Sequence, residues 1–387
     1  MTMKRSLFFL LASLFSTCMY AYWPVDVDCR PIGRLPHAVM GVVHDDTNIY
    51  VAKFDGYLVV INKATGEKTF VETKLGSLEF SPTSLAIYGD KVWIGTLGMG
   101  SRIGGRLLNY ANGKVSSSGI SLNYGNATWG NPPAIENILF DASGNMYAVS
   151  TYGYGFYIDT KNKVVNFETN KRSCTGKMCL DKDGTLWISY WGWPTNKYSL
   201  ARFTKDWESI YFLKEHPDVM HDDNARCLAA DKENGIWFHA RDRLYRIQND
   251  EVDESYSFSI SPRLCDMAFD TDQQLWLAGE HGPLVMMKDG DFTSYPCPID
   301  SKMWMCMDID GNDIYIGTDE FLLLFRDGEY TKIDLGQPDP QGHQSTGINH
   351  TEAYPSTFGI FDFQGRQLQG KPERGVYIQD GRKYVVK

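Results

Sequence analysis

Three histidines (His37, His239, His281), two arginines (Arg226, Arg263), three tryptophans (Trp191, Trp193, Trp304) and two glutamates (Glu136, Glu280) are the side chains of this 387-residue sequence best suited to hold a ligand. Tryptophan faces cover the C–H surface of a sugar, and an arginine fork pairs with a carboxylate. The set suits a glycan, an acidic one included, or a peptide. It also admits a second chemistry. Elimination on a uronic acid needs a group that neutralises the carboxylate and a base beside the acidic C–H. Arg226 or Arg263 would supply the first, and His37, His239 or His281 the second. No spacing rule links these residues, so any site must be assembled from distant parts of the chain. Non-catalytic binding comes first on this reading, a polysaccharide lyase or glycosidase second, and a protein-interaction scaffold third.

Other patterns give less. His216, His221, Asp222 and Asp223 have the types of metal ligands but fall in a polar loop. Asp308, Asp310, Asn312 and Asp313 lack the length and closing glutamate of a calcium loop, and turn chemistry explains them. The run G-M-G-S-R-I-G at 98–104 misses the dinucleotide fingerprint and precedes a strand. The sequence has no phosphate loop, nucleophile elbow or H-E-x-x-H, so neither metal nor cofactor is expected.

One stretch shows what must position the candidate residues. Residues 179–191, C-L-D-K-D-G-T-L-W-I-S-Y-W, read as a strand, an Asp-Gly turn and a second strand carrying Trp187. Glycine accepts the positive φ of the turn, which makes Asp-Gly between apolar runs a strong hairpin signal. The unit recurs with its aromatic at Tyr50, Trp93, Tyr147, Trp187, Trp237, Trp276 and Tyr315, at spacings of 43, 54, 40, 50, 39 and 39 residues. A period of about 40 residues holds four short antiparallel strands. Such a sheet cannot bury both faces alone, but stacked around an axis it hides each aromatic between neighbours. The chain therefore reads as all-β, a seven-bladed β-propeller with a small C-terminal β-appendage. The longer spacings are loop insertions, at 116–133 and 213–224. By analogy of fold, the loops entering each inner strand and those joining second to third strands gather at one mouth. All ten candidate residues fall on those loops.

A net charge of -10 and a pI near 5.3 argue against a nucleic acid bound over a broad face. Residues 1–21 combine Lys4 and Arg5, an apolar run over 7–15 and small residues beyond it. That is a secretory signal peptide, with cleavage expected after Ala21 and lipidation at Cys18 as the alternative. The apolar run is too short to span a bilayer, and no other stretch reads as a membrane span. Of eight cysteines, cleavage leaves seven, an odd number that requires a free thiol. Cys227 and Cys306 each stand four residues before their turn aspartates, a periodic place suited to a small buried residue. Cys174 and Cys179 are close enough in sequence to suggest a disulfide.

The expected organisation is a signal peptide over 1–21, the propeller over 22–335, a polar linker over 336–357 and a β-hairpin tail over 358–387. Residues 22–29 alternate as a strand that would close the ring on the last blade. Against this, the last copy carries its own outer strand near 330–335.

D-K-D-G-T-L-W-I-S at 181–189, with L-A-R-F at 200–203, resembles the two-component regulator propeller repeat of periplasmic sensor proteins. The resemblance covers roughly Leu35 to Leu335 and implies the propeller fold and an exported location, in the periplasm or at the cell surface. A signalling role would need a partner in the cell envelope, because the sensors' membrane helix and kinase have no counterpart in the sequence. The last stretch, through D-F-Q-G-R at 362–366 and G-V-Y-I-Q-D-G-R-K at 375–383, resembles the sorting tails of type IX secretion, at about half a sorting domain's length.

Overall fold

The computed structural model describes residues 37–98, 105–124, 133–169, 174–191, 199–216, 225, 227–240, 243–257, 264–301 and 303–338, and strands within 360–386. Seven antiparallel sheets follow one another along the chain, at 39–72, 74–117, 135–168, 174–211, 228–257, 264–295 and 304–333. They form a seven-bladed β-propeller. Six blades have four strands in sequence order, and blade two adds the two-residue strand Lys74–Leu75. The inner strands, from Val39–His44 in blade one to Trp304–Asp310 in blade seven, lie side by side, and the last returns to the first.

Seven apolar cores hold the ring, one at each junction. Tyr50 packs with blade two, Tyr147 with blade four, Trp187 with blade five, Trp237 with blade six, and Tyr315 with blade one. Trp93 and Trp276 join the cores toward blades three and seven. The repeated aromatic is therefore the residue that glues each blade to the next.

Its partner is the turn aspartate. Asp181 Oδ1 accepts the backbone N–H of Asp183 and Thr185, at 3.0 and 2.8 Å, while Oδ2 accepts the Trp187 indole N–H at 3.2 Å. Asp231 with Trp237, at 2.9 Å, and Asp270 with Trp276, at 2.8 Å, repeat the arrangement. In blade one the Tyr50 hydroxyl donates to Asp45 at 2.6 Å. In blades one, four, five and six one carboxylate thus orders the turn and fixes the ring, a use for Trp and Tyr as hydrogen-bond donors.

Blade seven builds its four strands from 304–333 alone, ending in Glu329–Ile333. Residues 22–29, expected as a closing strand, lie outside the described residues. Among the described residues, blades seven and one are joined by side chains. His44 Nδ1 lies 2.7 Å from Asp308 Oδ2, its Nε2 lies 3.3 Å from Asp310 Oδ1, and Lys63 pairs with Asp310. Leu335 is buried in the same core. Lys53, only 1% exposed, pairs with Asp55 at 3.0 Å and donates to the Gly336 carbonyl at 3.2 Å. Residue 336, expected to open the linker, is thereby tied to blade one.

The Cys174–Cys179 disulfide that the sequence left open does not form. Cys179 is a free thiol, and both residues lie on the strand Cys174–Leu180. Five residues along a strand separate Cα atoms by roughly 16 Å, far beyond the ~7 Å limit for a disulfide.

The chain divides into two compact units, 1–342 and 343–387. In the second, strands Ile360–Asp362, Gln367–Leu368, Gly375–Gln379 and Arg382–Val386 form one sheet in which the first pairs with both the second and the third. The expected hairpin is present within it, with two further strands.

Candidate functional site

The ladder between inner and second strands breaks register on six blades, near the start of the inner strand in five and midway along Leu78–Tyr88 in blade two. The breaks lie between Val39 and Gly41, Pro82 and Ser84, Ile135 and Asn137, Thr175 and Met178, Leu264 and Asp266, and Trp304 and Cys306. A bulge bends its strand and re-aims the side chains beside it. Just past it stand Gly41, Ser84, Asn137, Asp266 and Cys306, Lys177 stands within it, and Cys227 holds the same place in the sequence of blade five.

Most of these residues stitch one blade to the next. Ser84 Oγ donates to the Ile135 carbonyl at 3.0 Å, and Asn137 Nδ2 to the Gly176 carbonyl at 2.8 Å. Asp266 accepts the Met307 N–H at 2.9 Å. The thiols of Cys227 and Cys306 lie 3.6 and 3.7 Å from the carbonyls of Leu264 and Val39. Gly41 packs closely on blade two, since a Cβ there would sit 3.3 Å from the Leu85 backbone nitrogen, tighter than an ordinary contact.

Lys177 is the exception. Its Nζ lies 2.5 Å from Asp266 Oδ2, so the side chain of blade four passes blade five and ends on blade six. A contact that skips a blade runs across the axial side of the ring. Burial works to lower the Lys177 pKa, but the charge and hydrogen bond of Asp266 outweigh it, and the value is raised. The Lys177 side chain is 28% exposed and that of Asp266 is 7% exposed. The neighbouring thiols are held protonated. Burial pushes Cys306 up to about 12 and Cys265 well above the ordinary thiol value.

The candidates from the sequence are placed as follows. Glu136 is the bulged residue of blade three and is half-buried. Glu280 and His281 lie between the second and third strands of blade six; His281 is exposed, and the Glu280 carbonyl accepts the Trp304 N–H at 2.7 Å. His239, expected in a loop, lies inside the second strand of blade five, opposite Leu244, and is buried. Trp304 belongs to the core between blades six and seven, 1% exposed, its indole N–H on Ser301 Oγ at 3.0 Å. Its ring is covered by protein, not open to a ligand. His37 is exposed, with Nδ1 3.3 Å from Asp55 Oδ2. Trp191 ends the second strand of blade four, opposite Cys174. Trp193, Arg226 and Arg263 lie outside the described residues, and with them half of the expected convergence of Arg226, Arg263, His239 and Trp191.

Asp266 went unnoticed in the sequence, although it has a signal. It stands four residues before the turn Asp270, as Lys177, Cys227 and Cys306 stand before theirs. Among the described residues no cluster of three or more His, Cys, Asp or Glu side chains forms a metal site. Among them, too, no helix is long and apolar enough to cross a membrane.

The chain matches no protein-family model and no curated protein sequence. Its likeness is to solved structures. Virginiamycin B lyase from Staphylococcus aureus is 16% identical with a TM-score of 0.54, over 73% of this chain and 92% of that one. YCF48 bound to D1 peptide is 14% identical with a TM-score of 0.55, over 76% and 94%. The WD40 propeller domain of Doa1 is 14% identical with a TM-score of 0.53, over 73% and 90%. At such identities the likeness is one of fold, and these three propellers share no single activity.

Proposed function

We propose that this propeller is an exported, non-catalytic binding module that takes a glycan or a peptide at its loop-lined mouth. The observation that carries the reading is the repeated bulge near the start of the inner strands, with charged side chains at and beside it. Glu136 is half-buried at one bulge, and Lys177 meets Asp266 across the axis with its side chain half-buried. An anionic group entering there meets a cation whose charge is already fixed in place, so little reorganisation is needed. Arg226 and Arg263, from the segments leading into blades five and six, add bidentate donors, and Trp191 and Trp193 add aromatic faces. Residues 1–21 support export.

The test is a screen of the full chain against a glycan array and a peptide library, beside an assay for new unsaturated-uronate absorbance. Binding without turnover is expected. Arg226→Ala and Arg263→Ala should each weaken it by roughly 1.5–3 kcal/mol, the worth of a charge-assisted hydrogen bond, at unchanged melting temperature. Turnover would replace binding by lyase chemistry, and silence in all three assays would leave a scaffold.

A further inference from the structure

We infer a second ligand site on the opposite face of the propeller, in the cleft between blades three and four, where a pyranose ring of a glycan stacks on Trp207. The starting point is a backbone angle. Trp207 closes the turn between the third and outer strands of blade four, its N–H on the Thr204 carbonyl at 3.0 Å, with φ at 65°. A bulky side chain in this left-handed region is an outlier. The matching turns of blades one and three use Gly66 at φ 70° and Asn162 at φ 64°, residues that tolerate it. Blade four keeps an indole where glycine or asparagine would be unstrained.

The indole is positioned with care. It stacks on Phe167 of blade three at 4.7 Å and 13°, and lies 5.0 Å from Tyr157 at 37°. Phe167 is in turn pressed over Gly155, where a Cβ would meet the ring at 2.2 Å. Trp207 remains partly exposed at the edge of a 450 Å³ cleft, with Tyr147 and Tyr157 in its wall and Arg202, Lys205 and Asp183 also lining it. Clefts of 280 and 400 Å³ open at the junctions of blades two and three and of six and seven, but Asn162 and Gly328 stand at their corners. The turn face of the repeat therefore makes the cleft, and of these three turns only that of blade four carries an aromatic side chain at the left-handed position.

The chemistry selects a sugar. The C–H face of a pyranose lies flat on an aromatic ring, and its equatorial hydroxyls need donors and acceptors of both kinds at the rim. Lys205 donates from the turn that carries Trp207, and the Thr185 hydroxyl both donates and accepts. Arg202 and Asp183 also border the cleft, but they are held toward blade five, by Asp250 at 2.9 Å and Asn234 at 3.2 Å. The cleft is built from the turns at 181–185 and 204–208, at the end of the blades away from the mouth, so its occupancy is independent of any ligand there.

The experiment titrates the full chain with maltose, cellobiose, chitobiose and digalacturonate, read by tryptophan fluorescence and saturation-transfer NMR. At least one is expected to bind, with Trp207→Gly weakening it by about tenfold or more through loss of the stacked apolar surface. Because glycine relieves the left-handed strain as it removes the stack, the unfolding midpoint should stay within about 3 °C. Trp207→Asn, copying Asn162, is the second variant and should behave alike. Binding of no probe, or binding that survives both variants, overturns the site. So does a large fall in midpoint for both, which would make the indole a structural cover. A mouth ligand found in the array screen would bind these variants normally.

Discussion

Asp266→Asn is the sharpest test of the axial ring. The carboxylate of Asp266, 7% exposed, accepts from Lys177 Nζ at 2.5 Å, from Met307 N at 2.9 Å and from its neighbour Met267 N at 2.9 Å. Asparagine keeps the shape and one acceptor oxygen, but loses the charge and points an amide toward either an ammonium or an N–H. Breaking a buried pair by removing one partner costs about 3–5 kcal/mol, and losing one charge-assisted hydrogen bond about 1.5–3 kcal/mol. Lys177 is 28% exposed and can regain water, so the lower range applies. A loss of about 2 kcal/mol corresponds to a fall of roughly 4–8 °C in melting temperature for a domain near this size. Differential scanning calorimetry of wild type, Asp266→Asn, Lys177→Met and the double variant completes a cycle. With Lys177 replaced by Met, the asparagine substitution should cost much less. A midpoint for Asp266→Asn within about 1 °C of wild type, or the same loss in both backgrounds, would refute the axial pair.

The junction of blades seven and one should respond to pH. The hydrogen bond to Asp308 raises the His44 pKa against the effect of burial, with Asp310 adding to the rise and Lys63 opposing it. Burial raises Asp308 itself, and His44 only partly offsets that. The folded state thus favours protonated His44, so its stabilisation is fully present below about pH 6.5 and fades as pH rises through the raised value. Melting temperature followed from pH 5.5 to 8.5 should fall more steeply for wild type than for His44→Gln; parallel curves would disprove the coupling. Gly155→Ala should destabilise by about 1–3 kcal/mol, because Phe167 is held between Phe203 at 5.1 Å and Trp207 at 4.7 Å and has nowhere to go. Urea unfolding measures it, and an unchanged midpoint would show the ring free to move. Deleting 343–387, a separate compact unit, should leave thermal unfolding of the propeller nearly unchanged while altering the cell fraction that holds the protein. A large loss of stability would show that the tail completes the propeller.

Much of this fold was legible in the chain itself. A period of about 40 residues, an Asp-Gly turn and one aromatic per period suffice to announce blades, because each local choice answers the same demand for a half-buried antiparallel sheet. The count of seven and the burial of Cys227 and Cys306 were readable for that reason, whereas which strand completes the last blade was not. Even the pairing of turn aspartate with aromatic lay in a constant spacing of five or six residues, as in Asp45–Tyr50 and Asp181–Trp187.

The site was another matter, because a propeller assembles it from residues that the chain keeps far apart. Lys177 and Asp266 are 89 residues apart and meet only because the ring closes and a bulge turns each inner strand toward the axis. Trp304 has the composition of a ligand-binding residue, yet the next blade covers it, and the sequence carries no sign of which face of a strand a neighbour will press upon. His239 likewise depends on where a strand stops and its loop begins, a boundary that local propensity leaves loose by two or three residues. Trp207 shows the opposite limit. Nothing in T-K-D-W-E distinguishes an exposed indole from a packed one; its left-handed backbone and the stack on Phe167 exist only once blade three stands beside blade four. Local sequence determined what each blade is, and closure of the ring decided which side chains face one another.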